Sequence, residues 1–316
     1  MGTVVPLLAL FLAALTACHD AAAENWAQRL GFPPGKKVVV LHAHDMGMCF
    51  ETTQACADLA STLPRLSASA MAPCPWFPHA AKHDSHSGLG DVGLQLTFNS
   101  EWSDYRWRPT SGAGLSPSLV DADGFLWRSV LQFALSADRD DVEREMHWQL
   151  LTAERCGLKP THLTTHLGAL YSRPDFAEAY LAFARKQWIP AVVVELTPEL
   201  TERLAAKGFP VPQGLAAAIS DYPLPTLKDL RIVPRAESYE EKLNATLEAV
   251  DSLPDGLSQI AFAPGVDSPA LRALSPQADQ YVWDLRLMQD ESLKKRLQAD
   301  DVILTNWVEI MERFDQ

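Results

Sequence analysis

The chain has 316 residues, 47% of them hydrophobic, and a formal net charge of −13. Such a length and apolar content suit an ordinary folded protein of one large domain or two small ones. The acidic balance, with no Lys/Arg run to neutralise a phosphate backbone, excludes non-specific nucleic-acid binding, so nucleic acid is not an expected partner.

Residues 4–17 form an apolar stretch of signal-peptide length, too short to span a bilayer comfortably. Leu15-Thr16-Ala17-Cys18 then matches a bacterial lipobox, in which Cys18 would become the lipidated first residue of the mature protein. Ala21-Ala22-Ala23 offers plain cleavage instead, and an n-region without Lys or Arg leaves an unexported chain as the alternative. The expected organisation is a leader over 1–18, a linker over 19–35 and one folded domain over 36–316. The expected location is the periplasm, free or as a lipoprotein that touches the membrane only through its lipid. Beyond Cys18 the cysteines are Cys49, Cys56, Cys74 and Cys156. In an oxidising compartment they allow three full pairings, and buried free thiols are the competing reading.

From residue 36 onward, strand-like runs alternate with helix-period segments. The strands are expected at 37–41, 67–71, 93–98, 162–165, 191–196, 259–263 and 302–304. Between them, helices are expected near 50–62, 138–156, 174–187, 198–206, 238–252, 275–288 and 291–298. Ser238 with Glu241 reads as a capping box, and Arg173-Pro174 as a helix start with proline in the first turn. Alternation of this kind predicts an α/β protein with a mostly parallel sheet, hence a (β/α) barrel or a doubly wound sheet, and seven strands favour the barrel. Residues 99–128 break the rhythm with Trp102, Tyr105, Trp107 and Trp127 in one long loop. Its aromatics are either sugar-stacking groups, with Trp102, Tyr105 and Trp107 as candidate substrate contacts, or the core of a lid packed onto the barrel.

The chemistry gathers at strand ends. The first strand runs into His42-Ala43-His44-Asp45 and Gly47, the third carries Gln95, and the fourth ends in His166. Asp45 and His166 suit a divalent ion such as Zn²⁺ or Mg²⁺, and Gln95 would be a weak third ligand because its amide oxygen is neutral. His44 is a reasonable general base near neutral pH. It alternates with Asp45 on a regular strand, so both reach one pocket only if the backbone turns there. His42 is a candidate supporting group, and His79, His83 and His86 lie in a polar segment without further signal.

Taken together, the motifs resemble those of the YdjC/ChbG-like carbohydrate deacetylase family, which is similar in fold to the NodB polysaccharide deacetylases. His42-Ala43-His44-Asp45-Met46-Gly47-Met48-Cys49 resembles the family's His/Asn-Ala-Asp-Asp-x-Gly-Met/Leu-Cys/Ser. The segment from Ser69 to Phe77 resembles its second strand and the turn after it, and Gly93-Leu94-Gln95-Leu96-Thr97 its Gly-Leu-His-Leu-Thr. Pro160 to His166 resembles its Pro-Thr-His-Leu-Asp-Ser-His, and Ala263-Pro264-Gly265 stands where the family has His-Pro-Gly. The likeness runs from about Gly35 to Phe314. It implies removal of an N-acetyl group from a sugar, with a divalent ion held by Asp45 and His166. The implied ligand is an N-acetylated oligosaccharide or cell-wall glycan. Four positions depart from the pattern: His44 replaces the general-base carboxylate, Gln95 the metal histidine, Thr164 an acidic residue and Ala263 the last histidine. The resemblance therefore implies a distorted (β/α) barrel that either retains hydrolysis of an acyl-sugar bond, with Asp45 and His166 on the metal and His44 as base, or is a catalytically silent carbohydrate-binding descendant.

Overall fold

The computed structural model describes residues 25–63, 65–86, 89–206 and 211–316. Cys18, the apolar leader and the start of the linker lie outside the described residues. The strands are β1 (Lys37–Met46), β2 (Ser67–Ala70), β3 (Val92–Leu96), β4 (Leu163–Thr165), β5 (Asp229–Ile232), β6 (Gly256–Phe262) and β7 (Val302–Thr305). They pair in parallel in the order β4-β3-β2-β1-β6-β5, and β7 joins β1. β1 is long enough for three neighbours. β6 runs along 37–43, while β7 pairs with 37–40 and β2 with 42–46.

Parallel bridges Leu163↔Ala191 and Val194↔Leu227 carry the sheet from β4 round towards β5, which curls it into the expected distorted barrel. The expected strand at 191–196 is thus reduced to two bridges, because its neighbours on either side are themselves only a few residues long. β5 had no clear sequence signal: Asp229 and Arg231 interrupt its apolar residues, and Ile232 is 76% exposed. The expected helices form with small shifts at their ends. Ser238 accepts a hydrogen bond from the Glu241 amide, and Arg173 caps the helix that Pro174 opens. The described helices that the sequence did not announce include Phe77–His86 and Trp307–Phe314. Cys49, Cys56, Cys74 and Cys156 are free thiols, as the second of the two cysteine readings had it. No helix of the described residues is long and apolar enough to cross a membrane.

Alternation along β1 divides its side chains between two environments. Val39, Leu41 and Ala43 pack into the large core shared with the surrounding helices. Val38 and Val40 instead meet Val192, Leu227 and Leu257 from neighbouring strand segments and Trp307 from the helix Trp307–Phe314, a second and smaller apolar plug. Each such buried aliphatic side chain stabilises the fold by roughly 1.5–3 kcal/mol.

Above this plug lies a polar layer. His42 Nε2 is 2.7 Å from His162 Nε2, and His162 stacks on Trp307 with ring centroids 5.6 Å apart. Asp91 closes the layer: it accepts from the Trp307 amide and lies 3.4 Å from His162 Nδ1. His42 is buried, its Nδ1 has no hydrogen-bond partner, and burial together with His44 and His162 holds its pKa well below 6.5. The unfolded chain then binds a proton that the folded one refuses. Stability from this group is complete above pH 6.5 and declines as the pH falls below it, by at most about 1.4 kcal/mol per pH unit. Urea unfolding between pH 7 and 5 is expected to show this decline, and His42→Gln should flatten it by about one proton. An unchanged acid limb in the variant would show that His42 is not responsible.

Candidate active site

β1 does not end as a regular strand. Its register against β2 runs His42↔Ser67, Ala43↔Ala68 and then Met46↔Ala70, so one extra residue is inserted between Ala43 and Met46. Asp45 has φ of 65°, and Gly47 follows with φ of 83°. A bulge of this kind re-aims side chains. Here it breaks the alternation, and His44 and Asp45 line the same cavity. A non-glycine residue at positive φ costs of order 1 kcal/mol or more, so local bonds must hold it. The Asp45 carbonyl accepts from Thr52 Oγ1 at 2.7 Å and its amide donates to Gln95 Oε1 at 2.8 Å. A Cβ at Gly47 would come within 3.1 Å of the Phe77 Cα, which explains glycine there.

The cavity has a volume of about 800 Å³ and opens at the C-terminal ends of the strands. His44, Asp45, Gln95, Thr164, His166 and Ala263, contributed by four different strand ends, all line it. Gln95 is fully buried on β3, with Thr164 as its register partner on β4. Gln95 Nε2 lies 2.7 Å from Asp45 Oδ1 and 2.9 Å from His166 Nδ1. Asp45 Oδ1 and His166 Nδ1 are 3.3 Å apart. Burial opposes the charge on Asp45, but His166, His44 and Gln95 outweigh it and hold the carboxyl below its usual range. Burial is also the main reason that His44 is pushed down to about 4, with His166 adding to it against the pull of Asp45. His44 is therefore neutral at pH 7, and its Nε2 has no hydrogen-bond partner.

Three residues that the sequence did not single out, Glu101, Lys242 and Asp284, complete the walls. Glu101, in the long loop after β3, receives His166 Nε2 at 3.1 and 3.2 Å. Burial disfavours the imidazolium, but Glu101 and Asp45 would together raise His166 to about 10. The hydrogen that Gln95 donates to Nδ1 opposes protonation of that nitrogen, leaving Nε2 as the donor to Glu101. On the far wall, Lys242 Nζ is 2.7 Å from Asp284 Oδ1, and Asp284 Oδ2 accepts from the Ala263 amide at 2.8 Å. Burial pushes Asp284 up to about 6 despite the pull of Lys242. Both were detectable in principle. Lys242 shares a helical face with buried Thr246 and Val250, and Asp284 with Leu287 and Met288.

The loop aromatics separate. Trp102 lines the cavity, with its ring 6.3 Å from that of Tyr281. Trp107 is 2% exposed and donates its indole N–H to the Asn99 carbonyl, and the Tyr105 hydroxyl donates to the Met48 carbonyl. Neither of these two lines the cavity. They pack as the core of the loop, because an indole or phenol that has found a backbone acceptor gains by being buried.

The YdjC-like protein family matches the chain over residues 38–299. The chain belongs to the YdjC-like family. A carbohydrate deacetylase of Enterococcus faecalis strain V583 is 25% identical over 157 residues, 49% of this chain. The matched stretch spans only 57% of that protein's length. In fold, the chain is similar to a crystal structure from Enterococcus faecalis V583 described as a cellobiose-phosphate cleavage protein. The TM-score is 0.70 at 20% identity, over 87% of this chain and 98% of that one.

YdjC-like deacetylases imply a divalent ion, and the donor set here does not fit one. Among the described residues, no three His, Cys, Asp or Glu side chains are grouped to hold a metal. Between Asp45 and His166 stands the NH₂ group of Gln95, which presents hydrogens where an ion requires a lone pair. Glu101 cannot supply the missing ligand, because it sits at Nε2, on the opposite side of the imidazole from Asp45.

Proposed function

We propose that this chain is a carbohydrate-deacetylase-like protein whose cavity binds an N-acylated sugar, with its hydrolytic step strongly attenuated. The observation that carries this reading is the convergence of the motif positions His44, Asp45, Gln95, Thr164, His166 and Ala263 on one cavity. Its volume, about 800 Å³, lies within the roughly 300–1,000 Å³ of small-molecule sites. Its walls combine an aromatic face at Trp102 with the carboxylates of Asp45, Glu101 and Asp284. An aromatic face stacks on the apolar side of a sugar ring, and carboxylates accept from its hydroxyls.

What the cavity lacks is the family's last-motif histidine. Ala263 offers a methyl group where a proton donor or oxyanion partner would be needed, and loss of such a donor typically costs about 10²–10³ in rate. Calorimetry with N-acetylated chito-oligosaccharides is therefore expected to show binding, and tryptophan fluorescence a quenching that Trp102→Phe removes. Acetate release should be absent or about 10³-fold below that of an intact deacetylase. Efficient acetate release that Asp45→Asn abolishes would overturn the attenuated reading, and no binding of any acylated sugar would overturn the carbohydrate reading.

A second reading, retained hydrolysis with His44 as general base, has one specific observation in its favour. His44 is neutral at pH 7 and its Nε2 is unpartnered at the cavity wall, which is the state that a base requires. Under this reading the residual acetate release falls at least about 10²-fold in His44→Ala.

A further inference from the structure

We propose that the Gln95 carboxamide does in this chain what an ion does in a metal hydrolase: it ties Asp45 to His166 and holds both in a ligand-like arrangement without metal. The orientation of the amide is fixed independently of the two side chains it joins. Its Oε1 accepts from the Asp45 backbone amide at 2.8 Å and from the Ser69 hydroxyl at 3.1 Å. The backbone N–H can only donate, which identifies the atom it meets as oxygen and leaves Nε2 as the end directed at the pair. Nε2 then lies 2.7 Å from Asp45 Oδ1 and 2.9 Å from His166 Nδ1, and its two hydrogens serve both.

Every hydrogen-bonding position of the carboxamide is thereby used. Each of the two would-be ligands has its inward-facing lone pair occupied by an N–H. The 3.3 Å between Asp45 Oδ1 and His166 Nδ1 is a distance that two ligands of one ion could share, yet here the amide itself spans it. A divalent ion would have to displace a fully satisfied, fully buried amide. It would then find two protein ligands where a catalytic zinc site uses three and leaves one position open.

The bridge also places the switch in one residue. Histidine at 95 would present a ring nitrogen, and glutamate a carboxylate oxygen, where the amide now presents hydrogens. Either change turns a donor into a third acceptor beside Asp45 and His166. With glutamate, two carboxylates meet at the spacing now held by Nε2 and Asp45 Oδ1, and a cation relieves their repulsion.

The proposal concerns the same cavity as the carbohydrate reading, but the test contains no carbohydrate, so either can fail without the other. Co²⁺ and Zn²⁺ are titrated into the full chain and into Gln95→His, Gln95→Glu and Asp45→Asn. Calorimetry, the visible spectrum of Co²⁺ and the melting temperature are read, with circular dichroism to establish folding. The parent chain is expected to take up no stoichiometric ion in the micromolar range. A folded Gln95 variant is expected to bind one equivalent, with affinity raised by more than the ~100-fold that loss of a group hydrogen-bonded to a ligand typically costs. Two variants are used because one of them can fail to fold. The proposal is overturned by one equivalent of ion on the parent chain that Asp45→Asn removes. It is equally overturned by folded Gln95→His and Gln95→Glu proteins that bind no more ion than the parent.

Discussion

Asp284→Ala is expected to lower the unfolding free energy by about 3–5 kcal/mol, a fall in melting temperature of roughly 6–15 °C for a domain of this size. Lys242 is 1% exposed and points its ammonium at Asp284, the Pro234 carbonyl and Gln280 Oε1. Removing the carboxylate leaves a buried cation with neutral acceptors only and also leaves the Ala263 amide without its acceptor. The cost arises from the stranded charge rather than from a net gain in the pair, since two charges were desolvated to form it. Lys242→Met combined with Asp284→Asn therefore recovers at least half of the loss. The asparagine oxygen still accepts from Ala263, and no charge remains. Denaturant melts of the single and double variants decide the point. A single-variant loss below about 1 kcal/mol would mean that solvent in the cavity already screens Lys242.

Glu145→Ala is expected to release the long loop that follows β3, and with it the sugar site. Glu145 is fully buried in the helix Arg139–Arg155, and burial raises its pKa against the hydrogen bonds it accepts. Its carboxylate receives the Thr110 amide and hydroxyl, the Ser111 amide and Gln149 Nε2, at 2.8 to 2.9 Å. Gln149 in turn pairs with both backbone groups of Thr97, so one helix face stitches down the start and the middle of the loop. Alanine leaves the Thr110 amide and hydroxyl and the Ser111 amide without this acceptor, at about 1–3 kcal/mol for each that stays buried. Trp102 and Glu101 hang from this loop over the cavity. Limited proteolysis is expected to cut within 99–128 well before the barrel unfolds, and affinity for acylated sugars to fall by at least about tenfold, or 1.4 kcal/mol. Unchanged cleavage and affinity would show that the loop's own aromatic core is sufficient to hold it.

Much of the fold was legible because it rests on local periods. Runs of period two and 3.6 residues announced the strands and helices that alternate through the domain, and alternation alone implies a parallel sheet with its site at the strand ends. β5 escaped because charged Asp229 and Arg231 stand in a strand that is only half-buried, so no apolar pattern was needed there. The helix Phe77–His86 escaped because its histidines and charged residues read as a loop. In the site, His44, Asp45, Gln95, His166 and Ala263 could be named in advance, since each stands at the end of a recognisable strand. Glu101, Lys242 and Asp284 could not, although two of them occupy apolar helical faces where a charge is anomalous.

The sequence by itself determined which chemical groups stand at the strand ends, and the resemblance to the YdjC-like family implied that His44 stands in place of a carboxylate, Gln95 of an imidazole and Ala263 of a histidine. Only the tertiary structure decided what those groups do to one another. A one-residue bulge turns His44 and Asp45 to the same cavity. Gln95 bridges residues 50 and 71 positions away, and Glu101 reaches His166 from a loop 65 positions away. Trp107, equivalent to Trp102 on paper, is folded inward. Local periodicity carries no information about which strand ends become neighbours or which way an amide turns. Those are set by strand order and by the requirement that every buried donor and acceptor find a partner.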